Sequence, residues 1–201
     1  RNEARMKVLV VDNRDSFVFN LTEDLARLGA ECIVVRGGIS LEKMHERMEM
    51  ARPDMVLLSP GPGHPDDGGV MMPFLQEKPK VPVLGICLGM QAMVCALGGQ
   101  VGRAPRPAHA RISRITHSGA PIFDGIEGGF RAGRYHSLAA LEIPEELEAI
   151  AWTEDSPGEE PLVMAVRHGH LPWWGLQFHP ESVLSPRGTE ILANVMNRVR
   201  M

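Results

Sequence analysis

The sequence predicts a single α/β domain: a central, mostly parallel sheet with helices on both faces, extended by an added segment of antiparallel strands. Three observations predict it. Residues 7–12, Lys-Val-Leu-Val-Val-Asp, form a short β-branched apolar run of the kind buried on both faces of a sheet. Strand-like and helix-like segments alternate from there to residue 97, the pattern that builds a parallel sheet with crossover helices. Beyond residue 110 the pattern is less regular, with short strand-like pieces and one closing helix.

The elements follow in order. Phe17 to Leu28 carries Phe17, Leu21, Leu25 and Leu28 at helical spacing and stops at Gly29. Glu31 to Arg36 is strand-like. Leu41 to Met50 reads as a helix with Ser40 as its N-cap and Pro53 just past its end. Asp54 to Ser59 is the next strand and runs into Pro60-Gly61-Pro62-Gly63. A short helix over Val70 to Gln76 precedes a strand over Val81 to Ile86; Cys87 then opens an apolar helix that Gly98-Gly99 ends. Later strand-like pieces lie at Ala110 to Ile115, Gly129 to Tyr135, Ala149 to Thr153, Leu162 to Arg167 and Trp174 to Phe178. Ser156 to Glu160 reads as an exposed turn, and Arg187 to Val199 as the last helix. The polar stretch Arg1 to Arg5 carries no hydrophobic pattern and reads as a flexible lead-in to a domain over 6–201.

The 201 residues suffice for one sizeable core, and 44% hydrophobic with 23% charged residues is an ordinary globular composition. A net charge of -4 disfavours nucleic acid as the partner. No apolar run approaches the roughly 18 residues of a membrane span, and the first one is too short for a signal peptide, so the expectation is a cytoplasmic protein without a membrane anchor. The three cysteines, Cys32, Cys87 and Cys95, are an odd number at irregular spacing, which suits a reducing compartment better than a disulfide framework. They also lack the ligand spacing of a structural zinc site, and no metal site is expected.

The sharpest local signal is Gly85-Ile86-Cys87-Leu88-Gly89, between an apolar strand and a helix. It has the form of a nucleophile elbow with Cys in place of Ser. Such a turn lifts the sulfur to the carboxyl end of the sheet and sets it at a helix N-terminus, whose dipole favours a thiolate. The Leu88 N–H then faces the position where an oxyanion develops. The other reading of Cys87 is a buried small hydrophobe, as Cys32 and Cys95 are read. A thiol of ordinary pKa near 8.5 needs a base. His179, in Gln177-Phe178-His179-Pro180-Glu181-Ser182, follows an apolar strand and so belongs to the same carboxyl edge. Glu181, two residues on, is placed to hold its ring in one tautomer. His136, in Arg134-Tyr135-His136-Ser137-Leu138, is the competing base. Ser59-Pro60-Gly61-Pro62-Gly63 is a rigid loop that suits a second oxyanion donor or a plain turn; it lacks the Lys-Ser/Thr of a phosphate loop.

Taken together, these segments resemble the class I (triad) glutamine amidotransferases over nearly all of residues 6–200. The resemblance rests on Val11-Asp12-Asn13 with Asp15-Ser16-Phe17, on the Pro-Gly-Pro-Gly loop, on Gly85 to Gln91, on Arg134 to Leu138 and on Gln177 to Ser182. The first and fourth look like the chorismate-using branch, the small subunits of anthranilate synthase and of aminodeoxychorismate synthase. The resemblance implies that Cys87 forms a γ-glutamyl thioester, that His179 shuttles the proton and that Glu181 orients it. It implies that Gly61 and Leu88 supply the oxyanion hole, and that Gln91, Ser137, Leu138 and the loop Gly61, Pro62, Gly63 hold glutamine. As partner it further implies a large chorismate-binding synthase subunit. This chain's half-reaction needs no cofactor, and Mg²⁺ is expected in the partner. Anthranilate is the first choice of product; aminodeoxychorismate is the alternative. Two departures stand out: Met90 where many relatives have His, and His109-Ala110-Arg111 where relatives often have His-Gly-Lys, which bears on partner docking. Rivals from other classes are a stand-alone γ-glutamyl cysteine hydrolase and a non-catalytic binding protein.

Overall fold

The computed structural model describes residues 4–106, 108, 110–154, 158 and 160–201. Part of the expected lead-in, most of the turn expected over 156–160, and His109 lie outside the described residues. The chain order is β1 (Met6–Asp12), α1 (Val18–Arg27), β2 (Ala30–Arg36), α2 (Leu41–Ala51), β3 (Met55–Leu58), α3 (Met71–Gln76), β4 (Val83–Ile86), α4 (Leu88–Ala96) and β5 (Gln100–Arg103). The second half adds β6 (Arg111–His117), β7 (Phe130–Arg134), β8 (Leu138–Glu142), β9 (Leu147–Thr153), β10 (Val163–His168), β11 (Trp173–Leu176) and α5 (Gly188–Arg200).

One nine-stranded sheet runs β2-β1-β3-β4-β11-β10-β9-β6-β7, and β5 with β8 forms a separate two-stranded sheet. Pairing is parallel from β2 through β11 and antiparallel from β11 to the β7 edge. The expected parallel core with added antiparallel strands is therefore present. The alternation in β1 shows why both faces are covered. Val8 and Val10 pack with Leu21 and Leu25 of α1 and Ile191 and Val195 of α5. Leu9 and Val11 point the other way, toward Met44 of α2, Phe74 of α3 and Met93 of α4. α1 and α2 each bury one stripe against their face of the sheet, whereas α4 is buried on all sides from Leu88 to Val94. Ser40 caps α2 as its sequence suggests, its hydroxyl accepting from the Lys43 N–H at 3.2 Å. Among the described residues no helix is long and apolar enough to cross a membrane.

This strand order places the functional edge. The chain steps from β1 to β2 on one side and to β3 on the other, so the crossover direction reverses between β1 and β3. Open α/β sheets bind ligands in the crevice at such a reversal, outside the carboxyl ends of the strands. The residues that follow β1, β3, β4 and β11 all emerge at that edge: Asn13, Ser59 to Gly63, Cys87, and Gln177 to Glu181.

Candidate active site

Cys87 occupies the turn between β4 and α4 with φ 53° and ψ −103°, a left-handed conformation that costs a non-glycine residue energy. The turn is held from several sides. The Cys87 N–H donates to the Leu176 carbonyl of β11 at 2.7 Å, and the Cys87 carbonyl accepts from Gln91 N–H at 3.0 Å to start α4. Gly85 and Gly89 are required by close approach: a Cβ on Gly85 would lie 2.6 Å from the Gly89 backbone, and one on Gly89 would lie 2.4 Å from the Leu58 carbonyl oxygen. The sulfur is thereby fixed at the N-terminus of α4, where Leu88, as first helical residue, has an N–H without an intrahelical acceptor.

The pairing of β11 with β4 brings the second group in. Leu176 lies opposite Ile86, so the chain leaves both strands side by side, with Gln177 beside Cys87 and His179 two residues further. His179 is pinned through its backbone: its N–H donates to the Gly133 carbonyl at 3.0 Å, and the Ser185 hydroxyl donates to its carbonyl at 2.6 Å. The Tyr135 ring meets the imidazole edge-on at 5.0 Å between centroids. Glu181 Oε1 lies 2.6 Å from His179 Nδ1, and both side chains are buried. A carboxylate must accept, so Nδ1 carries a proton and Nε2 is left for Cys87. Burial, the largest influence on His179, would favour neutral imidazole. The hydrogen bonds and charges of Cys87 and Glu181 outweigh it and push the imidazole up to about 10. At neutral pH the ring is an imidazolium held between Cys87 and Glu181.

Motif spacing alone does not single out Gln177, although it stands in the same segment as His179. It is fully buried, its Nε2 donates to Cys87 Sγ at 3.4 Å, and its Oε1 accepts from Gln91 Nε2 at 3.1 Å. The signal that marks it is a lone amide directly after an apolar strand, which has to find buried partners. Gln91 Nε2 also donates to the Leu138 carbonyl at 3.1 Å.

His136, the competing base, is committed elsewhere. Arg134 Nε can only donate, and it reaches His136 Nε2 at 3.0 Å; Nδ1 must then donate to the Leu138 carbonyl, 2.6 Å away. Burial first, then the Arg134 charge, pushes His136 down to about 4, so it stays neutral and has no nitrogen free to serve Cys87. The Leu138 carbonyl accepts from both His136 and Gln91, and the Ser137 carbonyl accepts from Ala104 N–H at 2.8 Å. Of the loop residues, Gly61 is half-buried and Pro62 and Gly63 are exposed.

Outside this site, His64, Asp66 and Cys95 are a group whose ligating atoms lie within 4.8 Å of one another among the described residues. Helix capping explains it: His64 Nδ1 accepts the Asp66 N–H at 3.1 Å, and its Nε2 faces the Val101 carbonyl at 3.3 Å. Burial, with the Asp66 charge, pushes the Cys95 thiol up to about 11. Cys32 is pushed up by burial as well.

A parallel sheet carrying a cysteine on a strand-to-helix elbow, faced by a His–Glu pair from the adjacent strand, defines the class of cysteine-nucleophile α/β enzymes. The chain belongs to the class-I glutamine amidotransferase family, whose model matches residues 9–199. It is 47% identical over 195 residues to anthranilate synthase component II of Haloarcula marismortui, covering 95% of this chain and 91% of that protein. It is 46% identical to anthranilate synthase component 2 of Thermus thermophilus, covering 95% and 92%. It is also 45% identical to the aminodeoxychorismate synthase of Streptomyces griseus, covering 94% of this chain but 25% of that longer protein. The fold is shared with a Thermoplasma acidophilum crystal structure attributed to one component of a GMP synthase, at TM-score 0.84, 22% identity and coverage of 99% and 96%.

Proposed function

We propose that this chain is the glutaminase subunit of a two-component anthranilate synthase, hydrolysing L-glutamine with Cys87, His179 and Glu181 and passing ammonia to a large chorismate-binding partner. The observation that carries the reading is the Cys87 elbow set against His179, whose far nitrogen is held by Glu181 at 2.6 Å. The relatives named anthranilate synthase component II or 2 support the choice of product.

The geometry suits the following course. Glutamine enters with its side-chain amide over the elbow, and the Cys87 thiolate attacks the amide carbon. Charge builds on the amide oxygen, where the Leu88 and Gly61 N–H groups would receive it. As the tetrahedral adduct collapses, the carbon–nitrogen bond breaks and His179 gives its Nε2 proton to the departing nitrogen, releasing ammonia and leaving a γ-glutamyl thioester. Neutral His179 then takes a proton from water, which attacks the thioester; collapse expels Cys87 sulfur and yields glutamate. Glu181 keeps the imidazole in the tautomer that both steps use. Gln91 would meet the substrate ammonium through its Oε1, because its Nε2 is spent on Leu138 and Gln177. Ser137 and Leu138 would contribute N–H or hydroxyl donors, their carbonyls being occupied. Pro62 and Gly63 complete the wall beside Gly61. These steps require no metal or organic cofactor in this chain; Mg²⁺ belongs to the partner's reaction on chorismate.

An apolar rim supports a docked partner. Phe17 is 51% and Val183 94% exposed; Phe17 lies 6.5 Å from the Tyr135 ring, and the Tyr135 hydroxyl meets Ser182 Oγ at 2.9 Å. A partner seated on this rim would keep ammonia from water. The second reading, the amidotransferase half of an aminodeoxychorismate synthase, is favoured by the 45% identity to the Streptomyces griseus protein. The test is product analysis with glutamine, chorismate, Mg²⁺ and a large synthase subunit. Anthranilate supports the first reading, and aminodeoxychorismate replaces it with the second. Glutamate release that is vigorous alone and indifferent to every such partner points to a stand-alone hydrolase.

A further inference from the structure

We infer that Asn13 is a positioning residue for the amidotransferase reaction, a peg that fixes the Ser59–Gly63 loop so that the Gly61 N–H is presented to the Cys87 site. The inference rests on the amidotransferase reading above and extends it to a residue that carries no chemistry of its own.

Asn13 is the first residue past β1, at the crevice where the strand order reverses. Its side-chain amide is half-buried and well partnered. Nδ2 donates to the Ser59 carbonyl at 3.0 Å and lies 3.5 Å from the Val11 carbonyl and 3.2 Å from Met71 Sδ. Two carbonyls on that side fix which end of the amide is nitrogen. The Asn13 backbone N–H donates to Ser59 Oγ at 2.9 Å, and that hydroxyl passes its own proton to the Pro60 carbonyl at 2.7 Å. A single residue thus engages Ser59 through both its backbone and its side chain, just before the Pro60 to Gly63 loop.

The loop also lies directly on Asn13. A Cβ at Gly61 would stand 2.3 Å from the Asn13 carbonyl oxygen and 2.8 Å from its Cβ, so Gly61 is in backbone contact with the peg. From the other side, a Cβ at Gly37 would stand 2.2 Å from Asn13 Oδ1, and Gly37 is itself tied to Asp12 and Val70 by backbone bonds of 2.8 Å. Asn13 therefore lies between the exit of β2 and the loop, in contact with Gly61 on one side and Gly37 on the other. An oxyanion donor acts only if it is aimed before charge develops, and a small misplacement lowers kcat without abolishing binding.

The test uses Asn13→Ala, Asn13→Asp and Ser59→Ala in the full chain, with three readouts. The first is steady-state turnover of glutamine with the large synthase subunit; the second is hydrolysis of a chromogenic γ-glutamyl anilide by the chain alone. The third is the rate of Cys87 alkylation by iodoacetamide, which needs the thiolate but no oxyanion hole. For Asn13→Ala the expected result is a fall in kcat of about 10- to 100-fold on both substrates, with a smaller change in KM and alkylation within about twofold of wild type. Asn13→Asp keeps the shape but turns a carboxylate oxygen toward the Ser59 carbonyl, and falls at least as far. Ser59→Ala, which removes one of the two links, falls less and keeps the inference testable if the Asn13 variants do not fold. Unchanged kcat in folded Asn13→Ala, or in Ser59→Ala where that is the variant measured, overturns the inference. So does a loss of alkylation in step with turnover, which would mean general damage to the site. A wild type that turns over neither substrate while being alkylated normally overturns the amidotransferase reading itself, a result distinct from either.

Discussion

At the scale of the residue, the chemistry depends on which proton sits where. His179 is an imidazolium because Cys87 and Glu181 outweigh the effect of burial, and in the proposed reaction its Nε2 proton goes to the departing amide nitrogen. With the imidazole raised to about 10, the donor persists across neutral pH and is lost only as pH rises through about 10. The alkaline limb of kcat/KM, which reports the free enzyme, is expected there, and Glu181→Gln should move it toward the ordinary histidine range while lowering kcat by about a hundredfold or more; a pH–rate profile checks both. The same raised value stabilises the fold below the unfolded histidine pKa, and that contribution fades as pH climbs toward about 10. His136 has the opposite sign. Held near 4 by burial and by Arg134, it binds a proton in the unfolded chain well before it does so in the folded one. Stability should therefore fall as pH drops from 6.5 toward about 4, by up to about 3 kcal/mol from this residue. Denaturant unfolding across that range, for wild type and His136→Gln, tests it: the variant should show the shallower loss.

At the scale of the element, the elbow and its flanking strands decide whether the residues meet. Gly89→Ala would put a Cβ 2.4 Å from the Leu58 carbonyl and push α4 off β3. A loss of about 1–3 kcal/mol in chemical unfolding is expected, with turnover reduced more than stability alone explains. Ser40→Ala removes the cap of α2, far from Cys87 in the chain, and should cost about 1 kcal/mol with kcat unchanged. The contrast between the two shows what is legible in the sequence. Elements with a strong period and a recognisable stop, such as α1 ending at Gly29, α2 behind Ser40 and α4 behind the elbow, fall within a residue or two of where the pattern puts them. β5 and β8 are not legible, because Gln100–Arg103 and Leu138–Glu142 are short, half-exposed and lack clean alternation. Their pairing exists only because the chain returns there after β7. The triad candidates are legible in the sequence because glycines flank the strained turn at Cys87 and because His179 and Glu181 follow directly on an apolar strand. The contacts of Gln177 and Asn13, and the commitment of His136 to Arg134 and Leu138, are not, since they depend on how the folded chain brings its segments together.

At the scale of the whole molecule, the parallel half of the sheet builds the site and the antiparallel half supplies the wall that includes Gly133, Arg134 and His136. The exposed Tyr135 lies beside His179 and Phe17 beside Tyr135, with Val183 next to Ser182, and they form the rim on which the proposed partner would dock. Val183→Asp should weaken association with the large subunit by about tenfold or more while leaving γ-glutamyl anilide hydrolysis by the isolated chain intact; titration calorimetry and the anilide assay check the two halves. The most direct measurement is glutamate release from glutamine, with and without the large synthase subunit, for wild type and Cys87→Ala. The expected result is release by the wild type that the partner raises and the variant lacks entirely, while ammonia-dependent synthesis by the partner survives the substitution. Release that continues unchanged without the Cys87 sulfur, or that never occurs with any chorismate-using partner, would contradict the assignment of Cys87 as the nucleophile of an amidotransferase.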